Sequence, residues 1–529
     1  MNKPGRDKEI IFVGAAFAFY FFIVMYKLTY SSLWIDETIE YWYSKYLFGT
    51  LPYETSSLSM YSRIISTFQP PLFNVILYFW LKISSAEWWL RFFGVVMGFV
   101  GMAGIYQSIK KFSNSFVAAT GVIFSATIYQ LVYYWQECAE YCLMLGTLCW
   151  TVYFWICLLQ EVSKKNIIRF TIAAIVPIYS QYGAAFPVLA MAAIAFLYTV
   201  LKKDKKNLIT ISISYVTALV AAGLPLYFLF LKQQMMNQSK GYVAMDAILY
   251  EGGFLRDFVN GFKTVLKWNF LSYYDSTAVT FVLIVICLLI LVSLIFGKSM
   301  ITKWMVLYNA VTWVLYYFAV KFGIYGEGLF GQRYSVFFIP LWVIMIFAVC
   351  VDVYLLIKEN PELVIPKFKT LNLSDLKYFV VGISICTVVC YGMYSWTESL
   401  RHNWSKDDIR GVVDAWYEEK AFEKETIIYY GANPGFAYYV EQHQDYQEQN
   451  GLIKTNVHYM EWMFNQSVEA YTDFINSAFG SDWPEELYIV VSFGGDDLFT
   501  LMESFISRGY SSEELYNEGG GVLLHLTNQ

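Results

Sequence analysis

Eleven stretches of this chain are long and apolar enough to be helices crossing a lipid bilayer, and that repetition restricts the fold more than any other feature. They lie near residues 10–28, 88–109, 115–134, 141–160, 167–179, 184–201, 208–231, 276–297, 304–320, 334–351 and 378–396. A hydrocarbon core of about 30 Å takes roughly 20 apolar residues per helix. Backbone groups in that core must bond to one another, so helices are the expected form. Only 15% of the 529 residues are charged and 57% are hydrophobic, against about 25% charged in a soluble domain. A polytopic α-helical membrane protein with about 11 transmembrane helices is therefore expected. The apolar piece Pro70 to Ile83 is too short to span and reads as a helix lying at the interface.

Orientation follows from the basic residues. With the N-terminus inside, the inner segments hold 18 Lys and Arg in 59 residues and the outer segments 10 in 126. The N-terminus is thus expected in the cytoplasm and the C-terminus outside. Lys3, Arg6 and Lys8 precede the first span in the manner of a signal peptide, but no small-residue cleavage site follows, so a retained anchor is expected.

From about Thr397 the composition changes. The last 133 residues carry 7 Lys and Arg against 23 Asp and Glu, a balance of −16. An acidic tail outside and a basic inner face argue against nucleic acid as a partner. Short β-rich runs at Thr426, Glu486 and Gly521 alternate with helix-like stretches near 461–478 and 496–508, which suggests a small α/β domain on the outer face. Two domains are expected: 1–396 in the membrane, with a first outer loop at 29–87, and 397–529 as an extracytoplasmic acidic α/β domain. The tail holds no cysteine, and its His402, His443, His458 and His525 are too scattered for a metal spacing. Asp496 and Asp497 after Gly494 and Gly495 read as helix-capping acids. No internal repeat stands out, which argues against a transporter built from two similar halves.

Polar groups collect at the outer ends of the expected spans. They are Asp36 and Glu37; Gln69 before Pro70 and Pro71; Arg91; Gln136, Glu137 and Tyr141; Gln181 and Tyr182; and Arg333 with Tyr334. Bland readings exist for each: acids at 36 and 37 cap a helix, prolines start one, Arg91 snorkels, and Arg333 with Tyr334 is an interfacial anchor. Taken together they suit transfer of a sugar from a lipid phosphate. A carboxylate takes the proton of the attacking hydroxyl, arginine offers forked donors to the departing phosphate, and Trp34, Trp42 and Tyr182 are available to stack on a sugar or an isoprenoid tail.

The order of the motifs resembles the GT-C superfamily of polyprenyl-phosphate-dependent glycosyltransferases, in the branch of protein O-mannosyltransferases, aminoarabinose transferases and their bacterial relatives. The resemblance is carried by W-I-D-E at Trp34, Q-P-P-L-F-N-V-I-L-Y-F-W-L-K-I at Gln69, E-W-W-L-R-F-F-G at Glu87, Y-Y-W-Q-E-C-A-E-Y-C-L-M-L at Tyr133, Y-S-Q-Y-G at Tyr179 and G-Q-R-Y-S at Gly331. The D-I-R-G-V-V-D-A-W run at Asp408 is similar to a segment that often opens the outer tail in these relatives.

The resemblance implies that Asp36 is the catalytic carboxylate and Glu37 a supporting or acceptor-binding acid. It makes Glu137 the acid of the second outer loop, and Arg91 and Arg333 contacts for structure or lipid phosphate. This chain departs from the family where it has Ala139 in place of an arginine, and Gln69 and Gln181 in place of histidines. These changes bear on donor head group and acceptor more than on reaction class. Some members of the superfamily use a divalent cation, which Asp36, Glu37 and Glu137 have the oxygen ligands to bind. Nearer relatives manage without one, and no obligatory metal or other cofactor is expected here. The expected activity is a glycosyltransferase of the plasma membrane, transferring a sugar from a polyprenyl-phosphate donor to a protein, lipid or cell-envelope glycan outside. A transporter or flippase of lipid-linked sugars is the alternative, and an envelope sensor working through its acidic tail is a third reading.

Overall fold

The computed structural model describes residues 4–47, 50–53, 59–67, 69–238, 253–271, 277–325, 330–359, 407–460, 467–492 and 497–528. Ten of the eleven apolar stretches are helical, and the eleventh, 378–396, lies outside the described residues, as do His402 and Asp496. By length and composition, six described helices suit a membrane crossing, and a bent pair makes a seventh. The chain is a multi-pass helical membrane protein with a small C-terminal sheet domain.

That bent pair corrects the straight span expected over 115–134. Ser115–Thr127 and Tyr129–Gln136 meet at 74°. Neither Pro nor Gly marks the break at Ile128. Instead the Ser125 and Thr127 hydroxyls donate back to the carbonyls of Gly121 and Phe124, at 2.8 and 2.7 Å, a bonding pattern that bends helices. The fifth stretch, 167–179, lies in the helix Lys164–Ser180, started by the Ser163 side chain and carrying Pro177 near its end. The interfacial piece is the short helix Leu72–Trp80.

The chain divides into two compact units. One comprises Met1–Tyr26, Ile64–Phe73 and Phe92–His402; the other comprises Lys27–Arg63, Asn74–Arg91 and Asn403–Gln529. In the first, the helices Glu87–Lys110 and Glu140–Gln160 approach through small residues. A Cβ on Gly104 would lie 2.7 Å from that of Cys149, and one on Gly146 only 2.6 Å from the Met97 carbonyl oxygen. Close backbone approach of this kind is how helices pack where lipid removes a hydrophobic driving force.

The second unit is built on a five-stranded sheet: β1 Glu425–Ile428, β2 Val457–Tyr459, β3 Glu486–Val491, β4 Tyr510–Glu518 and β5 Gly521–Asn528, in the order β2-β1-β3-β5-β4. β1 runs parallel to β2 and β3, while β5 is antiparallel to β3 and β4. β1 and β3 are buried at every position after their first residue, as strands covered on both faces are. Tyr471, Ile475, Leu501 and Phe505 from the helices Val468–Phe479 and Asp497–Ile506 pack with Ile427, Leu487, Ile489 and Leu526. Trp416 of the helix Ile409–Glu418 is buried and donates to Thr426 Oγ1 of β1 at 3.1 Å. The three β-rich runs named in the sequence are β1, β3 and β5. β2 and β4 were not anticipated: β2 has three residues, and β4, Y-S-S-E-E-L-Y-N-E, is a polar edge whose charges keep other strands from pairing with it.

Replacing Gly146 by Val is expected to lower the melting temperature of the detergent-purified protein by several degrees, since overpacking costs about 1–3 kcal/mol. An unchanged melting temperature would mean that the two helices do not meet there.

Candidate active site

Asp36 and Glu37 occupy the first turn of the helix Ile35–Lys45, where acidic side chains complement the exposed N–H groups of a helix start. Glu37 reaches back to accept from the Trp34 amide at 3.4 Å, half of a capping box. Neighbours on a helix point about 100° apart, and these two acids have different surroundings. Glu37 is 2% exposed, whereas Asp36 is half-buried.

Burial of Glu37 is made tolerable by Arg91. The guanidinium meets the carboxylate side-on, Nε to Oε1 at 2.9 Å and Nη2 to Oε2 at 2.8 Å. It also donates to the carbonyls of Leu28, Ser31 and Ser32 at 2.9, 2.8 and 3.0 Å, and to Glu87 Oε1 at 3.2 Å. A guanidinium has five N–H donors, and here all are directed at protein oxygens. Of the two roles that the sequence left open for Arg91, these contacts are the structural one.

Glu87 carries the network further. Its Oε2 takes the Arg410 guanidinium at 3.2 Å and the Tyr439 hydroxyl at 3.0 Å. Arg410 also donates to the carbonyls of Thr29 and Tyr30, at 3.4 and 3.0 Å. Tyr439 accepts from the Leu33 amide at 2.6 Å. Burial, and then the nearby Glu87 carboxylate, push the Tyr439 phenol well above its ordinary value, so it stays protonated and donates. Asp408 caps its own helix at Gly411 and takes the hydroxyls of Ser32 at 3.0 Å and Tyr516 at 2.7 Å. The helix bearing Asp36 is held further along, by Trp42 Nε1 on the Pro434 carbonyl at 2.8 Å and by Asn74 on Glu40 at 2.6 Å.

The remaining predicted residues lie in the membrane unit, most of them in two polar chains. Gln181 is buried, starts the turn Tyr182–Ala184 by accepting from the Gly183 amide, and donates to the Tyr325 hydroxyl at 2.9 Å. Tyr325 meets Tyr334 edge to face with centroids 5.7 Å apart, and the Arg333 guanidinium lies 5.5 Å from the Tyr334 ring. The buried Tyr141 has Glu140, Arg333, Tyr325 and Tyr334 as electrostatic neighbours, and its ring lies 5.2 Å from that of Tyr134. In the second chain Tyr182 donates to Gln234 Oε1 at 2.7 Å, and Gln234 donates to the carbonyls of Gln69 and Ile64 at 2.8 and 3.1 Å. Glu137 is buried at the end of the bent helix and accepts from Tyr133 at 3.2 Å. Among the described residues, no three His, Cys, Asp or Glu side chains form a group fit for a metal ion.

Five contributors went unnoticed in the sequence: Glu87, Arg410, Tyr439, Gln234 and Tyr325. Glu87 stands four residues before Arg91, the spacing of a helical ion pair. Arg410 belongs to the D-I-R-G motif, noted for its resemblance but given no role. Gln234 and Tyr325 follow apolar stretches, as the residues that were picked out do, whereas Tyr439 has no signal in the local sequence.

Residues 68–244 match the family model described as dolichyl-phosphate-mannose-protein mannosyltransferase. No curated protein matches the sequence. Among solved structures, ArnT from Cupriavidus metallidurans bound to undecaprenyl phosphate is 12% identical over 98% of this chain and 97% of its own, with a TM-score of 0.52. The apo state of the same protein gives 11% identity, 99% and 98% coverage and a TM-score of 0.58. The archaeal oligosaccharyltransferase AglB from Archaeoglobus fulgidus, in complex with an inhibitory peptide and a dolichol-phosphate, is 11% identical over 100% of this chain and 75% of its own, with a TM-score of 0.50. At such identities the structural likeness concerns the fold.

Breaking the Glu37–Arg91 pair from either side is expected to destabilise the protein by about 3–5 kcal/mol, because a buried charge loses its partner. In a double-mutant cycle with Glu37→Gln and Arg91→Met, the double variant is expected to lose much less than the sum of the two; strict additivity in thermal unfolding would contradict the pairing. The family match covers residues 68–244, and the structural likeness adds a fold shared with ArnT and AglB.

Proposed function

We propose that this protein transfers a sugar from a polyprenyl-phosphate donor to a protein, lipid or cell-envelope glycan on the outer face of a plasma membrane, with Asp36 as general base. The observation that carries this reading is the contrast between two adjacent acids. Glu37 is bound into a buried ion pair that orders the chain, while Asp36, one residue earlier on the same helical turn, is only half-buried. A carboxylate that is to receive a proton must be reachable and must be held still.

In the proposed step, the acceptor's nucleophilic atom gives its proton to the Asp36 carboxylate and forms a bond to the anomeric carbon. The bond from that carbon to the phosphate oxygen breaks, and its electron pair leaves with the polyprenyl phosphate. Arg333 meets the charge on that phosphate, with Tyr334 and Tyr141 beside it. Gln69, Gln181, Tyr182 and Glu137 line the path of donor or acceptor. ArnT has been crystallised with undecaprenyl phosphate and AglB with a dolichol-phosphate, which supports a lipid-phosphate donor for a chain of this fold. Glu37 acts through its pair with Arg91 and touches no substrate.

Asp36→Asn is expected to lower turnover by about 10²- to 10⁴-fold, the range contributed by a positioned base, with the protein still folded. A variant near wild-type turnover would sink the assignment. Arg333→Ala is expected to weaken binding of the donor lipid in a direct binding assay, and unchanged affinity would count against its phosphate role. With arginine supplying the positive charge, transfer is expected to persist in chelator. Loss restored by one added cation would overturn that.

A further inference from the structure

We propose that Arg410 and Tyr439, far along the chain in the C-terminal part, are positioning residues for the reaction at Asp36. This rests on the reading of Asp36 as base and extends it to a device that delivers that base. The device is the segment Leu28–Trp34, which leads into the helix bearing Asp36.

That segment has no strand or helix of its own to satisfy its backbone, yet each of its residues has a backbone group bonded to a side chain. Arg91 takes the carbonyls of Leu28, Ser31 and Ser32, and Arg410 those of Thr29 and Tyr30. Tyr439 takes the amide of Leu33, and Glu37 that of Trp34. Arg410 and Tyr439 converge on the same oxygen, Glu87 Oε2, so the far half of the clamp is locked to the near half. The charges balance, two arginines against Glu37 and Glu87. Asp408 adds a bond to the Ser32 hydroxyl. The D-I-R-G motif therefore supplies two of its residues, Asp408 and Arg410, to the loop that carries the acid.

A clamp of this kind sets geometry without touching substrate. Misplacing a reacting group by about 1 Å is enough to lower a rate by roughly 10²-fold. Loss of Arg410 or of the Tyr439 hydroxyl is thus expected to lower kcat while leaving the KM for donor lipid in place.

The test uses the full-length protein in detergent or nanodiscs with a polyprenyl-phosphate sugar as donor. Arg410→Met and Tyr439→Phe are each expected to lower kcat by about 10- to 100-fold at unchanged donor KM. Arg410→Lys, which keeps the charge but not the fork, is expected to recover part of the loss. Amide hydrogen exchange over residues 28–34 should quicken in both loss variants while exchange in β1, β3 and β5 stays as in the parent, a pattern that a general loss of fold would not give. If Arg410→Met fails to fold, Tyr439→Phe, which removes one oxygen, decides alone. Wild-type kcat in Tyr439→Phe, or a change confined to KM, overturns the proposal. If Asp36→Asn is itself active, the reading of the base has failed; if it is inactive while Tyr439→Phe is unimpaired, only the clamp has failed.

Discussion

One guanidinium organises the unit built on the sheet. Arg91 is buried and makes six hydrogen bonds, two to Glu37, one to Glu87 and three to main-chain carbonyls. A cation taken out of water is tolerable only when its donors are met and its charge is matched. Both conditions draw distant pieces of chain to it. Glu37 fixes the start of the helix that carries Asp36, Glu87 brings in Arg410 and Tyr439, and the carbonyls belong to a segment that would otherwise have no partners. Buried backbone groups must be satisfied somewhere, and in this stretch side chains do what a sheet does elsewhere.

The membrane unit solves its polar accounting differently. Its chains run through neutral groups: Gln181 to Tyr325 and on to Tyr334, and Tyr182 to Gln234 and on to the Gln69 carbonyl. Gln69 and Gln181, two positions at which the sequence departs from the family it resembles, lie within these chains. An amide both donates and accepts without carrying charge, so at Gln181 the polar contacts do not depend on protonation as those of a histidine would, whereas Gln69 enters through its main-chain carbonyl, which any residue offers. Arg333 supplies a positive charge beside this network, and its proposed role toward the donor phosphate rests on that.

Much of this was legible in the sequence because the membrane imposes simple rules. Ten of the apolar stretches are helical among the described residues, and the acids, amides and arginines at their ends were visible as exceptions to apolar patterning. The bend at Ile128 was not, since nothing in S-A-T-I announces that two hydroxyls will bond back into the helix. The strand Tyr510–Glu518 was missed because an edge strand is polar by necessity. The deeper miss was the network around Arg91. Local sequence suggested Glu87 through its spacing, but Tyr439 and Arg410 lie more than three hundred residues away, and no period or motif connects residues across that distance. The same holds for Glu37, whose role as partner of Arg91 separates it from Asp36 only once their burial is known.

An enzyme that makes a glycosidic bond at the expense of a lipid phosphate releases that phosphate as it forms its product. The most direct measurement is incubation of the purified protein with a panel of polyprenyl-phosphate sugars and an extract of envelope acceptors, following by mass spectrometry both the freed polyprenyl phosphate and the glycosylated product. The two are expected to appear together, in equal amounts, for at least one sugar. Lipid-linked sugar that crosses vesicle membranes intact while no new glycosidic bond forms would contradict it and make the protein a carrier.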